Sequence, residues 1–418
     1  MSAQSNAPVA STPLDLSKWR KVPTLLIGAG GLLALIGLFV SYRQFSYAWL
    51  QAFMFFLSLC LGGLFMVLVH HLFDASWSVP IRRCCEHIAA LAPWLALLFL
   101  PVLANALLAG PSGNIYGWIS KDPHTDHALH SKLPLLTRGG FVVVTVFCFA
   151  VWWYFSRELR RWSLRQDETG SVECTYRMRK LSYYGIFLFA ITLTLGAIMW
   201  MKSLHHQWFS TMYGVYYFAG SVWLSLAAIY LITVVLSRQG YLRGVVHEET
   251  FYYIGSLMLA FTVFYAYIHF AQYFVIWNAN VPEETFWYKL RERGTWWDVG
   301  MIIVFGHFFV PFLALLRIDV KVSWLMYPIC LWAGLMHYFD LSFNVMPVAH
   351  PEGFPIQWLW LDLGCLAFMA GLLAKAFLKQ LNAHPAFPQK DPRMAESLGL
   401  YVPPASAAGS AATQGGAK

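Results

Sequence analysis

Ten stretches of this chain are apolar for about 20 residues each, the length a helix needs to cross the hydrocarbon core of a bilayer. They cover 22–42, 47–72, 85–108, 138–157, 181–201, 212–236, 250–276, 297–316, 322–344 and 356–378. Inside lipid such segments satisfy their own backbone groups only as helices, because membrane strands would be shorter and would alternate apolar with polar residues. The expected fold is therefore all-α, an integral membrane protein with ten transmembrane helices. Composition points the same way. Only 12% of the 418 residues are charged and 17% are aromatic, too little polarity to cover a water-facing surface. That argues against a cytosolic enzyme.

The formal charge of +8 does not indicate nucleic acid, because the Lys and Arg residues cluster between apolar runs instead of lining one face. They read as topology signals. If the N-terminus is cytoplasmic, that side carries 21 of the 29 basic residues. The loop after the fourth segment alone holds Arg157, Arg160, Arg161, Arg165, Arg177, Arg179 and Lys180. Both termini are expected in the cytoplasm. The first apolar run, Val22 to Val40, exceeds a signal-peptide core and leads into Tyr42 and Arg43 without a small-residue cleavage site, so it is expected to persist as a helix.

A weak internal symmetry appears at an offset of four segments. Asn114-Ile115-Tyr116-Gly117-Trp118 and Thr137-Arg138-Gly139-Gly140 correspond to Glu284-Thr285-Phe286-Trp287-Tyr288 and Gly294-Thr295-Trp296-Trp297. An even offset preserves orientation, so this predicts a parallel repeat of two four-helix bundles. The expected organisation is a cytoplasmic N-tail over 1–21, a peripheral helix over 22–42, bundles over 47–201 and 212–344, and a second peripheral helix over 356–378. A disordered tail rich in Ala, Gly, Pro and Ser follows over 382–418. The alternative is that the two loops merely share an interfacial aromatic belt.

Cys60, Cys84, Cys85, Cys148, Cys174, Cys330 and Cys365 form no C-x-x-C, haem-attachment or iron-sulfur spacing. No disulfide, covalent haem or cluster is expected. Polar groups at membrane depth carry the chemistry, since each costs about 2.5–3.5 kcal/mol there and needs a partner or a purpose. One group, His70, His71, Asp74, Glu86 and His87, lies at the cytoplasmic ends of the second and third segments. The spacings His70/Asp74 and His71/Asp74 allow either imidazole to meet the carboxylate on one helical face, a plausible entry for protons. Simple hydration at the headgroups is the other reading.

A second group gathers in the outer half. The seventh segment carries Tyr265, His269, Gln272 and Tyr273 on one stripe, the eighth Asp298 and His307, the ninth His337 and Asp340, and the tenth Asp362. These residues could form a proton path with the hydroxyls of Thr262, Ser221 or Thr194. They could instead form a quinone pocket, or ligate haem b through His269, His307 and His337, although those three lie at unequal depths. Hydrogen bonds that merely tie helices together are the bland alternative. His205 and His206 read as interfacial anchors, and the stretch from Val281 to Trp297 as an amphipathic docking surface. Pro101, Pro311 and Pro328 fall within apparent helices, where each can kink the chain.

The segment Ser203-Leu204-His205-His206-Gln207-Trp208-Phe209-Ser210-Thr211-Met212-Tyr213-Gly214, running into Tyr217-Phe218-Ala219-Gly220, resembles the F subunit of bacterial alternative complex III. That subunit belongs to the wider NrfD or polysulfide-reductase membrane-subunit family. Val281-Pro282-Glu283-Glu284-Thr285-Phe286-Trp287-Tyr288 and His337-Tyr338-Phe339-Asp340-Leu341 are similar to it as well, and the resemblance covers roughly residues 20–380. It implies a ten-helix subunit of a quinol-oxidising respiratory complex in the bacterial inner membrane, binding no redox cofactor of its own. The implied partners are a homologous NrfD-like C subunit, an iron-sulfur subunit, multihaem cytochrome c subunits and a terminal oxidase, with menaquinol or ubiquinol as substrate and haem c and iron-sulfur clusters in the partner chains. Two roles follow for this chain: a proton path with an assembly surface, or a quinol pocket near the outer ends of the seventh to ninth helices. A transporter working alone is a third reading, from a different class.

Overall fold

The computed structural model describes residue 19 and residues 21–400, and every regular element among them is helical. Ten long helices follow one another: α1 Lys21–Val40, α2 Tyr42–Leu72, α3 Val79–Leu108, α4 Arg138–Thr169, α5 Val172–Trp200, α6 Tyr213–Arg238, α7 Glu248–Ala279, α8 Trp296–Leu315, α9 Met326–Val345 and α10 Leu359–Ala383. Among the described residues, nine are long and apolar enough to cross a membrane, all of these except α9. α9 runs for 20 residues but carries His337, Asp340, Ser342 and Asn344 in its second half.

Side chains accepting backbone N–H groups fix several starts: Ser41 caps α2, Thr137 caps α4 at 2.9 Å and Ser171 caps α5. Gly170, at φ +66°, supplies the left-handed residue that closes α4. α3 is interrupted at Ala90–Leu91 and at Phe99, and Pro93 and Pro101 each open the piece that follows. Pro328 lies in the first turn of α9, where a missing N–H costs nothing. In α8 the chain takes a wider π-helical path over Ile303–Phe309, just before Pro311. A proline at 311 cannot donate to the preceding turn, and the Gly306 carbonyl is taken instead by Trp332 Nε1 of α9 at 2.8 Å.

α2 and α6 form the centre, each with 72% of its most apolar stretch buried, against 22% for α1. They cross where small residues let the backbones approach. Ser225 Oγ donates to the Leu59 carbonyl at 2.8 Å, and a methyl group on Gly62 would meet the Ser221 carbonyl at 2.5 Å. α5, α7 and α9 pack on α6, while α3, α5 and α9 pack on α2. α1 lies along α10, leaving Leu25, Leu32 and Phe39 exposed on its outer side.

One expectation fails in part. The tail predicted to lack structure from 382 onward instead folds back against α3, α4, the turn after α2 and the end of α6, with Ala386, Phe387 and Asp391 buried. Its low-complexity composition begins later than that prediction placed it. The remainder of that tail and nearly all of the N-tail lie outside the described residues.

Candidate functional site

The outer cluster centres on Asp340, on the face of α9 turned toward α6 and α7. Its Oδ1 accepts hydrogen bonds from Tyr265 of α7 at 2.7 Å and from Tyr216 of α6. Asn344, one turn along α9, donates to Tyr216 at 3.1 Å and accepts from Tyr213 at 3.1 Å. All five side chains are buried, so the carboxyl is held by hydroxyls alone in a site closed to water. On the other side of Tyr265, His269 Nδ1 lies 3.5 Å from the phenol oxygen, and its ring is partly exposed.

The π-helical path of α8 delivers His307 to the same place. Its ring stacks between Tyr265, with centroids 3.7 Å apart, and Trp223, 4.0 Å away. His337 faces α2, where its Nε2 meets Ser58 Oγ at 2.9 Å, and its ring lies against Gly220. Sequence spacing thus brought Tyr265, His269, His307, His337 and Asp340 into one neighbourhood. Gln272 joins its outer edge, bonded to Ser210 at 2.7 Å and to Tyr288 at 3.1 Å.

Two expected members stand apart. Asp298 is exposed in the first turn of α8, because the helix begins only two residues earlier and its first turn faces outward. Asp362 is buried, but it accepts from Tyr338 at 2.9 Å on the opposite face of α9 and belongs to the α9–α10 contact. The hydroxyls of Thr262 and Ser221 do not extend the cluster: Thr262 takes Trp223 Nε1 at 2.8 Å, and Ser221 donates to the Tyr217 carbonyl.

A cavity of about 440 Å³ opens between α7 and α8 beside this cluster. Tyr265 and His269 form its inner wall, Tyr288 and Arg291 its far end, and Phe270 and Phe309, both exposed on the helix flanks, border its mouth. Apart from the exposed Glu292 at the Arg291 end, the rest of the wall is apolar or aromatic. Such a chamber suits a flat, mainly apolar molecule that makes a few directed hydrogen bonds.

The far end is built by a short helix, Pro282–Arg291, that sequence reasoning read only as an amphipathic loop. Its Trp287 stacks on Trp208 at 4.5 Å, and Trp208 Nε1 donates to the Glu284 carbonyl. Arg291 is buried, lies 3.3 Å from the centre of the Trp287 ring and donates to the carbonyls of Trp287, Phe343 and Asn344. Burial pushes its pKa down to about 9. Tyr213, Tyr216, Tyr288, Arg291 and Asn344 were all missed. The signal in the sequence was the repetition of Tyr on α6 at 213 and 216, three residues apart and so on one face.

His206 does more than a simple interfacial anchor. His206 bonds Asp126 at 2.8 Å; burial lowers the imidazole below its usual range, so a neutral ring donates to the carboxylate. That bond, with the Leu129 N–H and Lys121, holds Asp126 down at about 2.

At the other end of the helices the expected pairing of His70 or His71 with Asp74 does not form. α2 ends at Leu72, and Asp74 turns out at φ +53° to pair with Arg179 at 2.7 Å and Arg393 at 3.0 Å. His70 bonds Ser78 Oγ at 2.6 Å and Arg82 instead. Glu86 is clamped by Arg82 and Arg83 at 3.1 Å each, and Arg82 also binds Asp391 from the C-terminal segment. His71 and His87 are buried, with neither ring nitrogen hydrogen-bonded among the described residues. This end is a locked ionic cluster. No known family's sequence model matches the chain, and no curated protein matches it.

Proposed function

We propose that the chain is an integral subunit of a quinol-oxidising respiratory complex in a bacterial inner membrane, and that the cavity between α7 and α8 receives the quinol ring. The observation that carries this reading is the placement of Tyr265 and His269 on the wall of a mainly apolar cavity open between α7 and α8, with Asp340 directly behind Tyr265. A quinol supplies two electrons and two protons on oxidation, and needs polar partners at its hydroxyls and an apolar route for its tail. His269 Nδ1 or Nε2 can accept one proton at the cavity wall. Tyr265 can pass another to Asp340 by giving up its own hydroxyl proton as it takes one from the cavity. Electrons would leave through partner chains of the kinds the sequence resemblance implies, the NrfD-like C subunit, the iron-sulfur subunit and the multihaem cytochromes, docked near the helix Pro282–Arg291.

Membership of that complex rests on the resemblance of the 203–220, 281–288 and 337–341 segments. The finer architecture belongs to the same proposal: ten spanning helices, with α2–α5 and α6–α9 as two bundles, α1 and α10 outside, and both termini cytoplasmic. The equivalent central positions of α2 and α6 support the repeat. A transporter with matched broken helices finds less support, because the interrupted spans are the third and eighth, which an offset of four does not superpose. In the assembled complex, a photoreactive quinone should label α7 or α8, and H269A should lower quinol turnover by about 10²-fold. Labelling confined to a partner chain, with H269A fully active, would overturn the reading in favour of a purely proton-conducting or structural role.

A further inference from the structure

α4 continues as a helix for 12 residues beyond the apolar run that ends at 157, and this extension carries a stripe of arginine. Arg157, Arg160, Arg161 and Arg165 are spaced i, i+3, i+4 and i+8, so they share one face. Trp153, one turn nearer the membrane centre, continues the same stripe. The facing wall is the first break in α3, at Ala90 and Pro93, and together they enclose a groove of about 610 Å³. It shares no residue with the cavity between α7 and α8.

The groove is built rather than incidental. At the α3 break the Ala90 carbonyl accepts from Gln380 of α10, and Gln380 Oε1 in turn accepts from Arg160 Nη1 at 2.9 Å, fixing that guanidinium. Arg160 Nε is buried and has no acceptor among the described residues. Arg157 lies over Trp153, 5.0 Å from the ring centre, and Arg165 over Trp162 at 5.1 Å. Glu158 is already committed to Arg161, and Glu168 is the carboxylate that lines the groove. No carboxylate among the described residues pairs with Arg157, Arg160 or Arg165, so three cations converge where a helix leaves the hydrocarbon.

We propose that this groove binds the phosphate of an anionic glycerophospholipid, with its acyl chains running down the α3–α4 surface past Trp153 and Trp94. Guanidinium forks match phosphate oxygens, tryptophan sits at headgroup depth, and the exposed apolar side chains below offer the tails a surface. On the topology proposed above, the lipid lies in the cytoplasmic leaflet and ties α3, α4 and α10 together at the first break in α3.

The full chain, purified in mild detergent and mixed with micelles doped with dioleoyl phosphatidylglycerol, cardiolipin or dioleoyl phosphatidylcholine, is read by native mass spectrometry. The anionic lipids should be retained and phosphatidylcholine should not. R157Q and R165Q, at exposed positions where folding is not at stake, should each cut retention by about fivefold, and R157Q/R160Q/R165Q by about a hundredfold. Removing equal charge at the same membrane face, in R238Q/R243Q/R317Q, should leave retention unchanged. Equal loss in that control would reduce the effect to general surface charge and overturn the proposal. Displacement of the lipid by inorganic phosphate alone would assign the site to a free anion and overturn it too.

Discussion

Arg291 donates to three main-chain carbonyls, two of them at the end of α9, and its planar head covers Trp287. Those carbonyls diverge, so only a forked donor can reach all of them. R291K keeps a positive charge but leaves at least one buried acceptor unpaired, a loss of about 1–3 kcal/mol. The thermal unfolding midpoint of the purified variant should fall by several degrees, and an unchanged midpoint would show that charge alone suffices. Tyr265 presents the complementary case. Y265F keeps the ring that stacks on His307 but removes the hydroxyl between the cavity and Asp340. Stability should fall by about 1–3 kcal/mol, because the buried carboxyl loses one of its two hydroxyl donors, and proton release per quinol should fall in the complex that still assembles; unaltered release would place the proton route elsewhere. The role of Arg291 was not visible in one dimension, and for Tyr265 a place in a proton path was, but its partners were not. Arg291 reads as a loop charge until the Pro282–Arg291 helix is docked on α9, and Tyr265 reads as one polar residue on a stripe until α8 widens to bring His307 against it.

Helix existence and order were legible because each apolar run is long, but helix ends were not. α4 runs to Thr169 and α7 begins at Glu248, since charged residues at i, i+3 and i+4 continue a helix into the headgroups after hydrophobicity ends. The failed His–Asp pairing has a related origin: α2 ends at Leu72, where its apolar run ends, but helical spacing was carried on to Asp74, which turns out at φ +53°. The C-terminal segment was misread for a different reason: Asp391 and Arg393 sit among residues of disordered-looking composition, and their partners Arg82 and Asp74 are over 300 positions away. Burial by itself would raise the Asp391 carboxyl, but Arg82 and Arg393 together hold it well below the usual carboxylate range. A folded value below the unfolded one stabilises attachment above about pH 4, and that contribution is lost as pH falls through the folded value. The segment should therefore stay docked at neutral pH and release only in strong acid. D391N removes the carboxylate at any pH and takes from Arg82 and Arg393 the partner they share, leaving Glu86 and Asp74 as their remaining carboxylates, at a cost of about 3 kcal/mol. Trypsin should then cut at Lys390 or Arg393 roughly a hundredfold faster than in the parent, and equal rates would mean the segment is held by Phe387 and its apolar neighbours.

For the molecule as a whole, the distribution of charge and the burial of cysteine together allow a clean test of orientation. The seven cysteines are free and buried, so the parent chain should give little background with a membrane-impermeant maleimide. Glu283, in the first turn of the helix beside the α7–α8 cavity, and Arg243, between α6 and α7, are both exposed and lie at opposite ends of α7. On the topology proposed above, Arg243 lies on the cytoplasmic side and Glu283 outside. E283C should therefore be labelled in spheroplasts with an intact inner membrane, and R243C only after the membrane is opened. That result puts the Tyr265–His269 cavity in the outer half of the bilayer and the arginine groove of α4 in the inner leaflet. The reverse pattern would invert both assignments at once: protons from the cavity would then be delivered to the cytoplasm, and a complex that conserves energy by releasing them outside could not be built on this chain.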